Sequence, residues 1–120
     1  MSQRVLLVEA SAGEASVHQV RLASAGYTVK LVTTAATTAG AARAFGPDLV
    51  VLDVDLLERS GMDVAALLRA APATPHLLLV PSDGAVGAGA VQAEAPVAYL
   101  ARPFSAAALV EGVNQLRPGA

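Results

Sequence analysis

Leu49-Val50-Val51-Leu52-Asp53 is the segment that says most about the fold. Its four consecutive apolar residues predict a short strand that is covered on both faces, because a half-exposed strand alternates between apolar and polar residues. Such strands are typical of parallel sheets flanked by helices. The stretch ends on Asp53, and a carboxylate at the end of a buried strand needs a partner or the edge of the sheet.

Short apolar runs, and one stretch at residues 27–32 that alternates between apolar and polar residues, recur on both sides of this strand and are separated by segments of helical length. Strands are predicted at residues 4–8, 27–32, 49–53, 76–80 and 97–101. Helices are predicted at residues 11–25, 38–45, 62–71, 84–95 and 105–116. Residues 11–14 fit a capping box that opens the first helix, and Gly26 closes it. This regular alternation predicts an α/β fold, a doubly wound parallel sheet of five strands with (βα)5 topology.

Length and composition limit the classes of protein that the sequence can encode. The 120 residues suit one domain, residues 1–120, and an apolar content of 54 % is enough for its core. No apolar stretch approaches the ~18 residues of a membrane span, and the absence of cysteine excludes disulfides and thiolate metal sites. A net charge of −2 leaves no basic surface for nucleic acid. We therefore expect a cytoplasmic domain that binds neither nucleic acid nor membrane.

Charged residues cluster where the predicted strands end. Glu9 follows the first strand, Asp53 ends the third, Asp55 comes two residues later, and Arg102 follows the fifth. In an open parallel sheet the carboxyl ends of the strands share one edge, where ligands bind near the switch in strand order. Clustered carboxylates need a cation, and Arg102 is the basic residue that the fold would bring there. We therefore predict an acidic pocket with Arg102 as an ion-pair partner of Asp53.

Four short motifs follow one another along the sequence, and three of them contain Glu9, Asp53 and Arg102. They are VLLVE at residues 5–9, PDLVVLD at residues 47–53, SG at residues 60–61 and YLARPF at residues 99–104. Any one of them alone is a weak signal. Together, in this order and at this spacing, they resemble the receiver domain of two-component response regulators over essentially the whole chain. The resemblance implies the flavodoxin-like version of the fold, a three-layer sandwich.

The resemblance also implies a role for several residues. Asp53 aligns with the aspartate that accepts a phosphoryl group, and Glu9 aligns with the first acid of the metal-binding pair. Tyr99 aligns with the aromatic switch residue, and Arg102 stands where the family has a lysine that contacts the phosphoryl group. The bond between Arg102 and Pro103 is cis in the family, so we expect a cis bond in this chain as well.

Besides Arg102, two positions of the site depart from the pattern of the family. The second acid of the pair, which is a magnesium ligand in the family, is Ala10 in this chain. The hydroxyl residue at the end of the fourth strand is Pro81, which offers neither a hydroxyl nor a backbone N–H. Glu9, Asp53 and Asp55 remain as ligands for Mg²⁺, but such a site is expected to be weak or absent because Mg²⁺ requires near-octahedral oxygen ligation.

These departures favour an atypical receiver, or pseudo-receiver, that acts as a phosphorylation-independent protein-interaction module and not as an enzyme. The expected partner is a histidine kinase, an output domain, another receiver or a second copy of the chain. It would bind the face formed by residues 84–95, the fifth strand and the closing helix. The alternative is a conventional receiver that a histidine kinase phosphorylates on Asp53 with Mg²⁺. A further alternative is a flavodoxin-like binder of a small ligand, although an aromatic content of 3 % argues against flavin stacking.

Several side chains keep a structural interpretation beside the functional one. Glu9 is either a metal ligand or an acceptor of backbone N–H groups at the start of the first helix. Asp55 is either a metal ligand or a solvated loop residue. Tyr99 is either packed in the core or exposed as a contact residue. His18 and His76 have no partner at ligand spacing, and we expect both at the surface or at its boundary.

Overall fold

A computed structural model describes residues 2–10, 12–81 and 95–119 as a single sheet with helices on both faces. The strands are β1 (Arg4–Val8), β2 (Thr28–Val32), β3 (Leu49–Asp53), β4 (His76–Val80) and β5 (Val97–Ala101). The helices are α1 (Ala12–Ser24), α2 (Thr38–Phe45), α3 (Val54–Arg59), α4 (Val64–Ala70) and α5 (Ala106–Leu116). No helix within the described ranges is long and apolar enough to cross a membrane.

The sheet has five parallel strands in the order β2-β1-β3-β4-β5. β2 lies on one side of β1, and β3, β4 and β5 follow in order on its other side. The strand order therefore switches between β1 and β3, whose residues Val8 and Leu52 are paired. Glu9 and Asp53 follow these two positions, so the switch brings both carboxylates to the same edge of the sheet. The doubly wound parallel fold predicted from the sequence is confirmed.

The two faces of the sheet bury alternate residues of the same strands. Leu6, Val50 and Leu78 lie on the face that α2, α3 and α4 cover. Leu7 and Val51, one position further along, lie on the face that α1 and α5 cover. Because both faces are covered, the central strands carry continuous apolar runs, as expected for a parallel sheet. The result is a three-layer sandwich.

The segment after β3 differs from the sequence prediction. A loop was expected up to residue 61, but α3 begins directly after Asp53, whose Oδ1 accepts a hydrogen bond from the backbone N–H of Leu56 at 3.3 Å. The next helix begins at Val64, because Asp63 caps it by accepting from the N–H of Ala65 at 3.0 Å. The helix predicted at residues 84–95, apart from residue 95, lies outside the described residues, and so does Ser11 of the predicted capping box.

His76 is not at the surface, contrary to our expectation. It opens β4, a strand with neighbours on both sides, and is only 4 % exposed. Its Nδ1 lies 2.7 Å from the carbonyl oxygen of Thr74. Burial lowers the pKa of the imidazole below its ordinary value of 6.5, because a charged ring would lose its hydration, and the hydrogen bond to Thr74 opposes this only in part.

This lowered pKa predicts that His76 makes the fold less stable in mild acid. Below the unfolded pKa of 6.5 the unfolded chain binds a proton that the folded chain resists, so the free energy of unfolding falls as the pH decreases through that value. We expect native protein to lose more stability than His76→Gln between about pH 7.5 and about pH 5.5 in urea titrations. Equal losses in the two proteins would contradict this role of His76.

Candidate functional site

Glu9 is completely buried, and both of its carboxylate oxygens have partners. It follows β1 directly, and its backbone N–H donates to the carbonyl oxygen of Val32 at 3.0 Å. Oε1 lies 2.7 Å from Nδ1 of His18, and Oε2 accepts from Nη2 of Arg102 at 3.1 Å. The side chain is therefore held by two basic groups, and no backbone N–H of the described residues bonds to its carboxylate.

Arg102 connects the acidic residues at this edge of the sheet. Its Nη2 lies 3.1 Å from Glu9 and 3.5 Å from Oδ2 of Asp53, while Nη1 lies 3.4 Å from the exposed Glu14. The planar fork of a guanidinium can reach several carboxylates at once, which a lysine ammonium does less well. The guanidinium of Arg102 is thus the cation beside both buried acids, Glu9 and Asp53.

The backbone and an aromatic ring hold Arg102 in this position. Its N–H continues the sheet by donating to the carbonyl oxygen of Val80 at 2.9 Å, and its bond to Pro103 is cis, as expected. The guanidinium carbon lies 5.2 Å from the centre of the Phe104 ring, within the range of a cation–π contact. The side chain is 30 % exposed, so the guanidinium reaches inward from the rim of the site.

Asp53 combines a structural contact with a position in the site. One oxygen, Oδ1, caps α3, and the other, Oδ2, accepts from the backbone N–H of Ala10 at 3.3 Å and lies near Arg102. The carboxylate is nearly buried. Two backbone donors and one guanidinium stabilise its charge in the chain itself.

His18 belongs to the site, although the sequence prediction assigned it to the surface or boundary. The ring is buried, bonds to Glu9, and lies 5.3 Å from the Phe104 ring between centroids. The helical spacing from Ala15 through His18 to Leu22 puts all three on the inner face of α1, and all three are buried. That periodicity was the signal in the sequence that could have identified His18 as an inward-facing residue.

Asp55 is exposed and pairs with an arginine of its own helix. Its Oδ2 forms an ion pair at 2.9 Å with Nε of Arg59, one turn further along α3, and both side chains are largely exposed. It still lines a shallow depression of about 360 Å³ at the end of the sheet. The depression is lined by Ala10, Glu14, Asp53, Asp55, Arg59, Pro81 and Arg102.

Tyr99 lies on β5, away from the acidic residues, and is 47 % exposed. It pairs with Leu78 of β4 across the sheet. Of the two interpretations of Tyr99, the exposure matches a contact residue better than core packing. Residues 84–94 of the expected partner face lie outside the described residues.

In the described arrangement, the oxygens of Glu9 and Asp55 are paired with protein groups and are not free to bind Mg²⁺. A hard cation needs free oxygen ligands in octahedral geometry, but the oxygens of Glu9 are taken by His18 and Arg102, and Asp55 is paired with Arg59. Within residues 2–10, 12–81 and 95–119, no group of three His, Cys, Asp or Glu residues is arranged to hold a metal ion. The guanidinium of Arg102 takes the position of a cation beside Asp53.

Comparisons with known proteins agree with this architecture. Residues 5–114 match the family model of the response regulator receiver domain. The DNA-binding response regulator MtrA of Mycolicibacterium paratuberculosis is 29 % identical over 114 residues, which are 95 % of this chain and 51 % of that protein. The chain thus spans about half the length of the curated relatives it matches first.

Solved structures show the same fold. A CheY-like response regulator receiver domain from Methylobacillus flagellatus superposes with a TM-score of 0.78 at 22 % identity and covers 98 % of this chain and 100 % of that one. The signal receiver domain of an HD domain-containing protein from Pseudomonas fluorescens gives a TM-score of 0.79 at 22 % identity, covering 97 % and 94 % of the two chains.

Proposed function

Since the chain belongs to the response regulator receiver domain family of two-component signalling, we propose that it is an atypical receiver whose interactions do not depend on phosphorylation of Asp53. Receiver domains in general bind Mg²⁺ at the phosphorylation site and interact with histidine kinases and output domains. The proposal is that this chain retains the protein interactions and has lost the chemical switch, so that it acts as a binding module and not as an enzyme.

One observation carries the proposal: Arg102 bonds to the buried Glu9 at 3.1 Å and lies 3.5 Å from Asp53. Phosphoryl transfer depends on positioning and on neutralising the charge of the incoming group. A guanidinium already engaged by two carboxylates has less capacity to stabilise a third anion. A cation that needs Glu9 as a ligand would have to displace both Arg102 and His18 from a buried carboxylate, which is costly.

The two departures from the family pattern support the same proposal. Ala10 contributes a backbone N–H to Asp53 and has no carboxylate to offer a metal. Pro81 lines the depression and has no hydroxyl for a phosphoryl oxygen. In the family that hydroxyl couples phosphorylation to the aromatic switch residue, whose counterpart is Tyr99. Loss of the hydroxyl would uncouple Tyr99 from the state of Asp53.

The surface around β5 is the proposed contact region for a protein partner. β5 is the last strand in the sheet order, and Tyr99 is one of the few large apolar side chains of the described residues that are exposed. Half-exposed tyrosines are common anchors in protein interfaces because they combine a large apolar ring with a hydroxyl. The partner classes are those expected for a receiver: a histidine kinase, an output domain or another receiver.

A conventional phospho-acceptor is the second candidate, because Asp53 faces an open depression of about 360 Å³. The depression is large enough for a phosphoryl group, and Asp55 on its rim could turn from the exposed Arg59 at little cost. In this alternative, Asp53 and Asp55 provide the side-chain ligands for Mg²⁺, with Glu9 as the third if it leaves Arg102.

Titration with Mg²⁺ and then with beryllofluoride, followed by amide NMR, tests the proposal. We expect the amide signals of Asp53, Arg102 and Tyr99 to remain within the small shifts that ionic strength alone causes, in both native protein and Asp53→Asn. Saturable shifts at Asp53 with Mg²⁺, and further shifts reaching Tyr99 with beryllofluoride that Asp53→Asn abolishes, would overturn the proposal and favour the conventional receiver.

A further inference from the structure

A second concave site lies between α2 and α4, on the face of the sheet that these helices cover. It is a cavity of about 390 Å³ whose floor is formed by residues of the central strands and whose walls are the two helices. His76, the first residue of β4, lines it. His76 pairs with Val50 of β3, three residues before Asp53, so the two positions are about 10 Å apart along the strands. Leu52, the residue before Asp53, also lines the cavity.

The cavity is open because the facing walls carry alanines. Ala39 and Ala42 on α2, with Ala70 and Ala71 at the end of α4, line it from opposite sides. An alanine side chain ends at Cβ, so the two helices do not fill the space between them as longer apolar side chains would. A mostly apolar cavity of this volume, with few polar groups, is typical of sites for small molecules.

His76 provides a fixed hydrogen-bond acceptor in this cavity. A carbonyl oxygen only accepts, so the contact of 2.7 Å with Thr74 assigns the proton of the neutral ring to Nδ1. Burial keeps the pKa of the ring low, so the ring is neutral near pH 7. Nε2 then holds a lone pair, and no residue within the described ranges donates a hydrogen bond to it.

The other buried polar group on the cavity wall also lacks a free donor. The hydroxyl of Thr38 donates to the carbonyl oxygen of Thr34 at 3.1 Å, which leaves only its acceptor capacity. The remaining acceptor capacity of His76 and Thr38 in a mostly apolar cavity favours a ligand that donates a hydrogen bond. Arg43, exposed on the last turn of α2, is at the rim.

We infer that this cavity is a binding site for a small, mainly apolar molecule that donates an N–H or O–H hydrogen bond to Nε2 of His76. The inference is independent of the proposed function, because within the described residues no side chain that lines the cavity forms a hydrogen bond or ion pair with Asp53, Glu9 or Arg102. The ligand site would lie on the face covered by α2 and α4, away from β5, where we propose that a protein partner binds.

Indole and indene form a matched pair of probes for the test, because they have nearly the same shape and only indole carries an N–H donor. In amide NMR titrations of native protein we expect indole to bind about three- to tenfold more tightly than indene, with the largest shifts at residues that line the cavity. In His76→Leu we expect the two probes to bind equally well. Equal binding of indole and indene to native protein would overturn the role of His76.

A variant that fills the cavity provides a second test, and this test does not require His76→Leu to fold. Ala42→Leu places a larger side chain in the cavity and is expected to weaken indole binding at least about tenfold. Ala107→Leu, the same change on the exposed face of α5, is expected to leave the affinity within about twofold. Unchanged binding of indole to a folded Ala42→Leu, or an equal loss in both variants, would overturn the site.

Discussion

Replacing Arg102 with methionine is expected to lower the free energy of unfolding by about 2 to 3 kcal/mol at neutral pH. Methionine keeps much of the apolar stem but removes the only arginine that bonds to the buried Glu9 in the described part of the chain. The carboxylate of Glu9 would remain in the interior with His18 as its one side-chain partner. Breaking a buried ion pair by removing one member leaves an uncompensated charge, and this accounts for the size of the effect.

Arg59→Met is the matched control, because it breaks an ion pair of similar length on the surface. Arg59 and Asp55 are both more than half exposed, so this loss should be below about 0.5 kcal/mol. In a Glu9→Gln background, Arg102→Met should cost less than about 1 kcal/mol, because the charge to be compensated is gone. The free energies come from urea titrations of five proteins: native, Arg102→Met, Arg59→Met, Glu9→Gln and the double variant Glu9→Gln, Arg102→Met. Similar losses for Arg102→Met and Arg59→Met would show that Glu9 does not depend on Arg102.

Restoring two features of the family at the site is expected to restore phosphorylation. In the double variant Ala10→Asp, Arg102→Lys, a second carboxylate enters the depression beside Asp53, and a single ammonium replaces the fork that reaches both Glu9 and Asp53. Two adjacent carboxylates favour a divalent cation. We expect Mg²⁺-dependent labelling of Asp53 by acetyl phosphate to rise at least about tenfold over native protein.

The control for this prediction is Ala10→Asn, Arg102→Lys, which has the same side-chain size at residue 10 without the charge. It should label no faster than native protein. If both double variants are folded and neither labels, the loss of function does not lie in Ala10 and Arg102, and the account of the site is wrong.

The fold could be predicted from the sequence because most of its strands are short apolar runs, while β2 alternates between polar and apolar residues. Four of the five strands begin and end where the runs do, and only β2 starts one residue later, at Thr28. The helix α3 was missed for a physical reason. It has six residues, follows a strand without a break, and is capped by Asp53, a residue whose position suggested chemistry and not a helix start.

The site could be predicted only in part. Asp53 and Arg102 are recognisable because each stands at the end of a strand, and strand ends in a parallel sheet share an edge. The pairing of Glu9 with His18 joins residues from a strand end and a helix, and only the packing of α1 against the sheet brings them together. The burial of His76 depends likewise on β4 having neighbours on both sides, which follows from the strand order and not from the local sequence.

Intact mass after incubation with Mg²⁺ and acetyl phosphate shows whether Arg102 has replaced the metal-dependent switch at Asp53. Native protein, Asp53→Asn and a conventional receiver domain are incubated in parallel, and circular dichroism verifies that each is folded. We expect a phosphoryl adduct on the conventional receiver and none on native protein or Asp53→Asn. An adduct on native protein that Asp53→Asn abolishes would contradict this expectation.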